Sequence, residues 1–170
     1  MMTSNAAAPA RPLNLPALAG WLLVTFAFAA IGAYASAQAG EFYMKLDRPD
    51  WAPPAWLFGP AWSVLYLLMG IAAWRVQRTA VERSVRPEMT LYVAQLVLNS
   101  LWTWLFFAWH KGAVAFIEIL VLWLMIAATI GAFGRRDKLA GVLLAPYLLW
   151  VSYATALCYS IWQRNPAILG

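Results

Sequence analysis

The stretch Arg48–Gly70 reads RPDWAPPAWLFGPAWSVLYLLMG. Three tryptophans and four prolines sit here, ahead of a run with the apolarity of a helix. Proline fixes φ and removes a backbone donor, so Pro49, Pro53 and Pro54 disfavour a continuous helix and stiffen the chain. Pro60 is tolerated in a first helical turn, where its N–H would be unused anyway. A helix can therefore begin between Leu57 and Gly59. From there Phe58, Trp62, Tyr66 and Met69 recur at spacings of four, four and three, which puts them on one face. That aromatic stripe continues outward into Trp56 and Trp51.

The run belongs to a chain of 170 residues that is 64% hydrophobic and only 11% charged. Soluble domains carry about 25% charged residues. A bilayer span takes ~20 apolar residues, and five such runs are present, at about 13–39, 57–74, 89–109, 113–133 and 139–162. They predict an all-α membrane protein, a five-transmembrane-helix bundle forming a single domain over 13–165. Residues 1–12, small and rich in Pro and Ala, are expected to be a disordered amino-terminal tail. The segment 40–56 mixes acids, bases and aromatics, is too polar to span, and is expected to be a structured lid. The other connections are short, so consecutive helices are expected to be antiparallel neighbours.

The formal charge of +5 does not indicate a nucleic-acid partner. The basic residues lie between the spans, where they set orientation. Arg11, Arg75, Arg78, Arg83, Arg86, Arg135, Arg136 and Lys138, eight of the twelve, fall on one side; Lys45, Arg48, Lys111 and Arg164 fall on the other. The amino terminus is therefore expected in the cytoplasm. A competing reading takes Arg11, the first apolar run and Ala35-Ser36-Ala37 as a signal peptide with its cleavage site, although the run is long for one.

Two further stripes carry polar groups. Gln95, Asn99, Trp102 and Phe106 share a face of the third span. Two amides at hydrocarbon depth must find partners. Helix–helix contact and the lining of a ligand cavity both satisfy them. On the fifth span Pro146, Trp150, Tyr153 and Leu157 share a face, with Tyr147, Ala154 and Cys158 alongside. Pro146 is expected to bend or loosen the helix, and small Ala154 leaves room for something flat. For Trp51 and Trp56 an interfacial aromatic belt competes with a ligand role. Small residues at Ala29, Gly32, Ala33 and Ser36, and at Ala127 and Gly131, suit close helix approach, within the bundle or across a dimer.

Glu118 is the one acid expected inside a span, which makes it a functional candidate; nearness to the interface is the alternative. Cys158 is the only cysteine, so no internal disulfide forms. His110 is the only histidine and no His/Cys/carboxylate cluster suits a metal. It could serve as an axial haem ligand or simply sit solvated in its turn. No nucleophile–base pair and no phosphate loop is evident, so no catalytic residues are assigned and an enzyme is not expected.

Three motifs carry a resemblance: WAPPAWLFGPAWSVLYLLMG (51–70), QLVLNSLWTWLFF (95–107) and PYLLWVSYATAL (146–157). With them the chain resembles the TspO/translocator protein family, the tryptophan-rich sensory proteins or peripheral-type benzodiazepine receptors, over about 15–165. The resemblance implies a five-helix bundle whose cavity opens beneath the first loop. It implies binding of tetrapyrroles (protoporphyrin IX, haem), of sterol-like lipids, and of synthetic isoquinoline carboxamides and benzodiazepines. No obligatory cofactor is implied; porphyrin or haem is a ligand, and a homodimer is the expected assembly. Trp51, Phe58, Trp62, Asn99, Trp102, Val114, Ile117, Val121, Trp150, Ala154 and Leu157 are implied as cavity lining, and the stripe adds Tyr66. The family links the tryptophans matching Trp62 and Trp150 to light-dependent porphyrin breakdown. Its sterol pattern is matched by Leu157, Tyr159 and Arg164. Cys158 departs from the family, which usually has Asn there. The reading is a membrane receptor or carrier; a ligand-tuned scaffold for a partner membrane protein and a porphyrin-degrading protein are the alternatives.

Overall fold

The computed structural model describes residues 14–37, 39–81 and 84–170, with backbone alone for residue 81. The expected tail at 1–12 lies outside the described residues. The long helices are α1 (Leu15–Ala35), α3 (Phe58–Gln77), α4 (Arg86–Thr103), α5 (Gly112–Arg136) and α6 (Lys138–Arg164). Two short helices join them, α2 (Ala39–Lys45) and α7 (Pro166–Leu169). All five predicted runs are helices long and apolar enough to cross a membrane.

The ends follow local chemistry. The Asn14 side chain accepts from Ala17 N–H at 3.2 Å and Pro16 sits in the first turn, so α1 starts there. It stops at Ala35 rather than 39 because Ser36 turns the chain, its Oγ donating to Gly32 O at 3.0 Å. Asp137 ends α5 and caps α6, its carboxylate accepting from Leu139 and Ala140 N–H at 2.9 and 3.1 Å. With one residue for a turn, α5 and α6 lie backbone to backbone. A Cβ at Gly141 would come 3.0 Å from Gly134 Cα. The α6 helix continues through Pro146.

The helices form a closed ring: α1 packs on α3 and α4, α3 on α6, α6 on α5, and α5 on α4. One expectation is corrected here, since α1 comes between the consecutive helices α3 and α4. The segment between Gln77 and Arg86 is long enough to step past a helix ~10 Å across. The outer helix α1 buries only Thr25 and Gly32. Its anchors are polar: a Thr25–Tyr92 hydroxyl bond at 2.6 Å, Trp21 Nε1–H donating to Gln77 Oε1, and Trp74 Nε1–H donating to Asn14 O at 3.0 Å. At the same end, ion pairs join Arg75 to Asp137 (2.8 Å) and Arg136 to Glu88 (2.6 Å).

The opposite end of the bundle is wider. After Thr103 the helix opens into a π turn, Trp104–Ala108, with Trp109 N–H reaching Trp104 O at 2.8 Å. His110 then takes φ 53°, the left-handed region, and reverses the chain into α5.

Candidate functional site

The wide end holds a cavity of about 580 Å³ between α1, α3, α4 and α6, roofed by α2 and Ala55. Its walls are built by the α3 stripe. Phe58, Trp62 and Tyr66 line it, while Met69, next along the face, is fully buried in the core. Trp102 and Thr103 come from α4, Phe107 from the π turn, Trp150 and Ala154 from α6. The rings brace one another edge to face: Trp62 with Trp150 at 6.5 Å and 81°, Phe58 with Trp150 at 6.0 Å and 79°. Trp102 stacks flat on Phe106 at 5.3 Å and 12°. Such geometries are the favoured ones for aromatic pairs.

Six of the twelve ligand residues read from sequence thus meet at the cavity: Phe58, Trp62, Tyr66, Trp102, Trp150 and Ala154. Three others stand one layer away. Asn99 is buried behind the wall and donates from Nδ2 to Tyr66 OH at 2.7 Å. Its amide is therefore spent on orienting the Tyr66 ring. Leu157 is buried in the packed cluster with Cys158 and Phe106. Trp51 sits on the roof, half-exposed, its ring on Tyr153 at 5.6 Å and its carbonyl accepting from Tyr153 OH at 2.8 Å. The last three are not at the cavity. Val114, Ile117 and Val121 are 50, 63 and 46% exposed on the outer face of α5. The inward face of α5 carries Ala115, Glu118, Ile119, Leu122 and Ile126 instead. In lipid both faces of a helix are apolar, so hydropathy does not fix this rotation, and one residue of slip turns a helix by 100°.

The wall that sequence reasoning assigned to helix contact is Ala29, Gly32, Ala33 and Ser36 of α1, which line the cavity. Small side chains there leave the hollow. Gly32 also permits close approach, since a Cβ would stand 3.3 Å from Thr103 Oγ1. The exposed lining residues are Phe26, Ala30 and Ala33 of α1, Gly40 of α2, and Gly59 and Ser63 of α3. The open side is therefore the gap between α1 and α3, facing the bilayer and running up to the edge of α2.

The roof is tied down. Tyr43 is buried and donates to Pro53 O at 3.0 Å. Burial pushes its phenol pKa up, opposed by the Arg48 guanidinium, which lies over the ring at 4.7 Å. Asn165, at the end of α6, accepts from Asp47 N–H at 2.8 Å and donates to Asp47 O at 2.9 Å. Arg164 adds an ion pair to Asp47 at 3.6 Å. The segment 40–56 is thus structured, with α2 as an element that the sequence reading did not include. The residues of the sterol pattern diverge. Leu157 points inward, Tyr159 is half-exposed against Phe116 at 5.2 Å, and Arg164 reaches the roof. His110 does not line the cavity. It is exposed and stacks on Phe42 at 4.3 Å. Among the described residues no group of three or more His, Cys, Asp or Glu could hold a metal ion.

Comparison with known proteins identifies the family. The model of the TspO/MBR family matches residues 21–163. The tryptophan-rich sensory protein of Cereibacter sphaeroides is 42% identical over 149 residues, 85% of this chain and 92% of that protein. Protein CrtK of Rhodobacter capsulatus is 41% identical over 128 residues, 75% of this chain and 80% of that protein. The human translocator protein is 36% identical over 128 residues, 74% of this chain and 75% of that protein. With five spanning helices and this match over most of its length, the chain is an integral multi-pass membrane protein that belongs to the TspO/MBR family.

Proposed function

We propose that the chain is a receptor or carrier for flat tetrapyrroles such as protoporphyrin IX and haem, held in the cavity at the wide end. The observation that supports this most is that Trp62, Trp102 and Trp150, from three helices, border one cavity of about 580 Å³. That volume falls within the ~300–1,000 Å³ of small-molecule sites. A macrocycle offers two broad faces to these rings, and each aromatic pair adds ~0.5–1.5 kcal/mol beyond area burial. The opening between α1 and α3 favours ligands that partition into lipid, sterol-like molecules included. The relatives' names, a sensory protein and a translocator, accord with sensing or moving a ligand rather than with catalysis.

The proposed orientation puts the amino terminus in the cytoplasm; the positive-inside rule supports it, with Arg75, Arg78, Arg86, Arg135, Arg136 and Lys138 in the connections of the narrow end. The proposed assembly is a homodimer, for which the outer face of α5 is suited: nothing lies within 4 Å of a Cβ built at Gly131. The test of the site is a protoporphyrin IX titration followed by porphyrin absorbance, in the full chain in nanodiscs. Trp62→Phe combined with Trp150→Phe removes two large faces and is expected to weaken binding about tenfold. Unchanged affinity in the double variant would refute the assignment.

A further inference from the structure

The core of the bundle holds buried polar atoms that no hydrogen bond uses. Glu118 is only 8% exposed, and neither carboxyl oxygen has a hydrogen-bond partner. Tyr147 on α6 is 1% exposed with its OH unpartnered. Trp102 Nε1 is buried without a partner of ordinary geometry, beside the Cys158 thiol. Glu118 lies close enough for its charge to be felt at both the Cys158 sulfur and the Tyr147 hydroxyl. Gln95, two turns (~10 Å) from Trp102 along α4, is 1% exposed with both amide atoms unpaired. Buried polar groups in folded proteins are almost always satisfied. A group of them drawn from three helices marks something that fills the space between.

The chemistry of the surroundings selects the occupant. No charged side chain acts on Glu118 from any element packed against it. Its charge reaches the Cys158 thiol and the Tyr147 phenol of α6, and the Cys158 thiol in turn adjoins the Trp102 indole of α4. Leu105 and Phe106 of the π turn are apolar. Tyr66 of α3 and Tyr92 of α4 lie near Tyr147. A bare carboxylate is expensive in such a place, and a metal ion would lack ligands. Water bridges groups of this kind with ~3 hydrogen bonds each, and the carboxyl then needs only a proton.

We propose that Glu118, Trp102, Cys158 and Tyr147 enclose a hydrated proton-binding site, sealed behind the aromatic cavity and linked to its occupancy through Trp102. One proton moves between solvent and a Glu118 carboxyl oxygen; one O–H bond is made or broken and nothing else changes. Glu118 lies six residues into α5, ~9 Å from its start at the wide end. The link is geometric. The Trp102 ring borders the cavity while its N–H edge lies at the Cys158 thiol, which the Glu118 charge also reaches. A guest that shifts the ring changes the environment of the proton, and by reciprocity the proton changes the affinity for the guest.

The linkage, though not the proton site itself, rests on the proposed ligand cavity. The test uses the full chain in nanodiscs and infrared spectroscopy of the carboxyl stretch as pH is stepped through the neutral range. The expected result is a protonated-carboxyl band that titrates, shifts slowly in deuterium oxide, and is lost in Glu118→Gln. The slow deuterium shift identifies the buried acid in the wild-type chain even if the variant does not fold. Absence of such a band overturns the site whether or not any ligand binds. A non-ionising isoquinoline carboxamide then probes the linkage: its Kd is expected to change about fivefold with pH in the wild type and to stay flat in Glu118→Gln. A band that ignores the bound probe overturns the linkage, whereas failure of the probe and of porphyrin to bind sinks the ligand cavity and leaves the band to judge the proton site.

Discussion

Replacing Asn165 with alanine should free the roof of the cavity while sparing the bundle below. The Asn165 side chain makes three hydrogen bonds: from Asp47 N–H (2.8 Å), to Asp47 O (2.9 Å) and to Ile161 O (2.8 Å). Each contributes a net ~0.5–1.5 kcal/mol, and Asp47 would be left with an unpaired donor and acceptor. Because Asp47 itself is exposed, water replaces part of the loss. About 2 kcal/mol is the reasonable sum, equivalent to roughly a 30-fold rise in the open population of the segment around Asp47. Hydrogen–deuterium exchange of the full chain, read by mass spectrometry, measures this directly. Amides of 46–53 should exchange roughly 30-fold faster, while those of α5 stay as protected as in the wild type. Unchanged protection at 46–53, or loosening spread equally over α5, would show that the carboxyl-terminal segment does not hold the roof.

Three more outcomes follow from packing. Gly112→Ala places a Cβ 2.5 Å from Trp162 Cδ1 and 2.8 Å from Leu169 O, so α5 and the carboxyl-terminal turn must part. Overpacking of this kind costs about 1–3 kcal/mol, visible as a lowered thermal midpoint in micelles; an unshifted midpoint would contradict the close contact. Tyr66→Phe strands the buried Asn99 amide and should destabilise by about 1–3 kcal/mol. Ile117→Ala, on the outer face, should leave porphyrin affinity unchanged, and a loss of affinity there would mean that α5 is rotated from its described position.

What the sequence disclosed depended on whether a residue type had one physical use or two. The spans were legible because twenty apolar residues in a row have few alternatives. The α3 stripe was legible because Pro60 sets where the helix begins, and Phe58, Trp62 and Tyr66 are too large to be indifferent to facing. The α5 face was not, since Val114 and Ala115 are both apolar and lipid rewards either. Small residues on α1 misled differently: Ala29 and Gly32 read as close contact, yet they serve a hollow as well as a seam. The α2 helix was hidden because seven residues of mixed polarity carry little periodicity. The Asn165–Asp47 pairing joins positions 118 residues apart, and no local pattern announces it.

The single residue between α5 and α6 constrains how this protein can be altered. Asp137 serves two helices at once, and Gly141 packs directly on the Gly134 backbone beside it. An added residue there has nowhere to bulge without prising the hairpin open or twisting one span against the other. Fused tags, epitope insertions and length variation should therefore be tolerated in the longer connection before α4 and rejected at this corner. Within the bundle α5 and α6 behave as one folded-back rod, to be exchanged between relatives together or not at all.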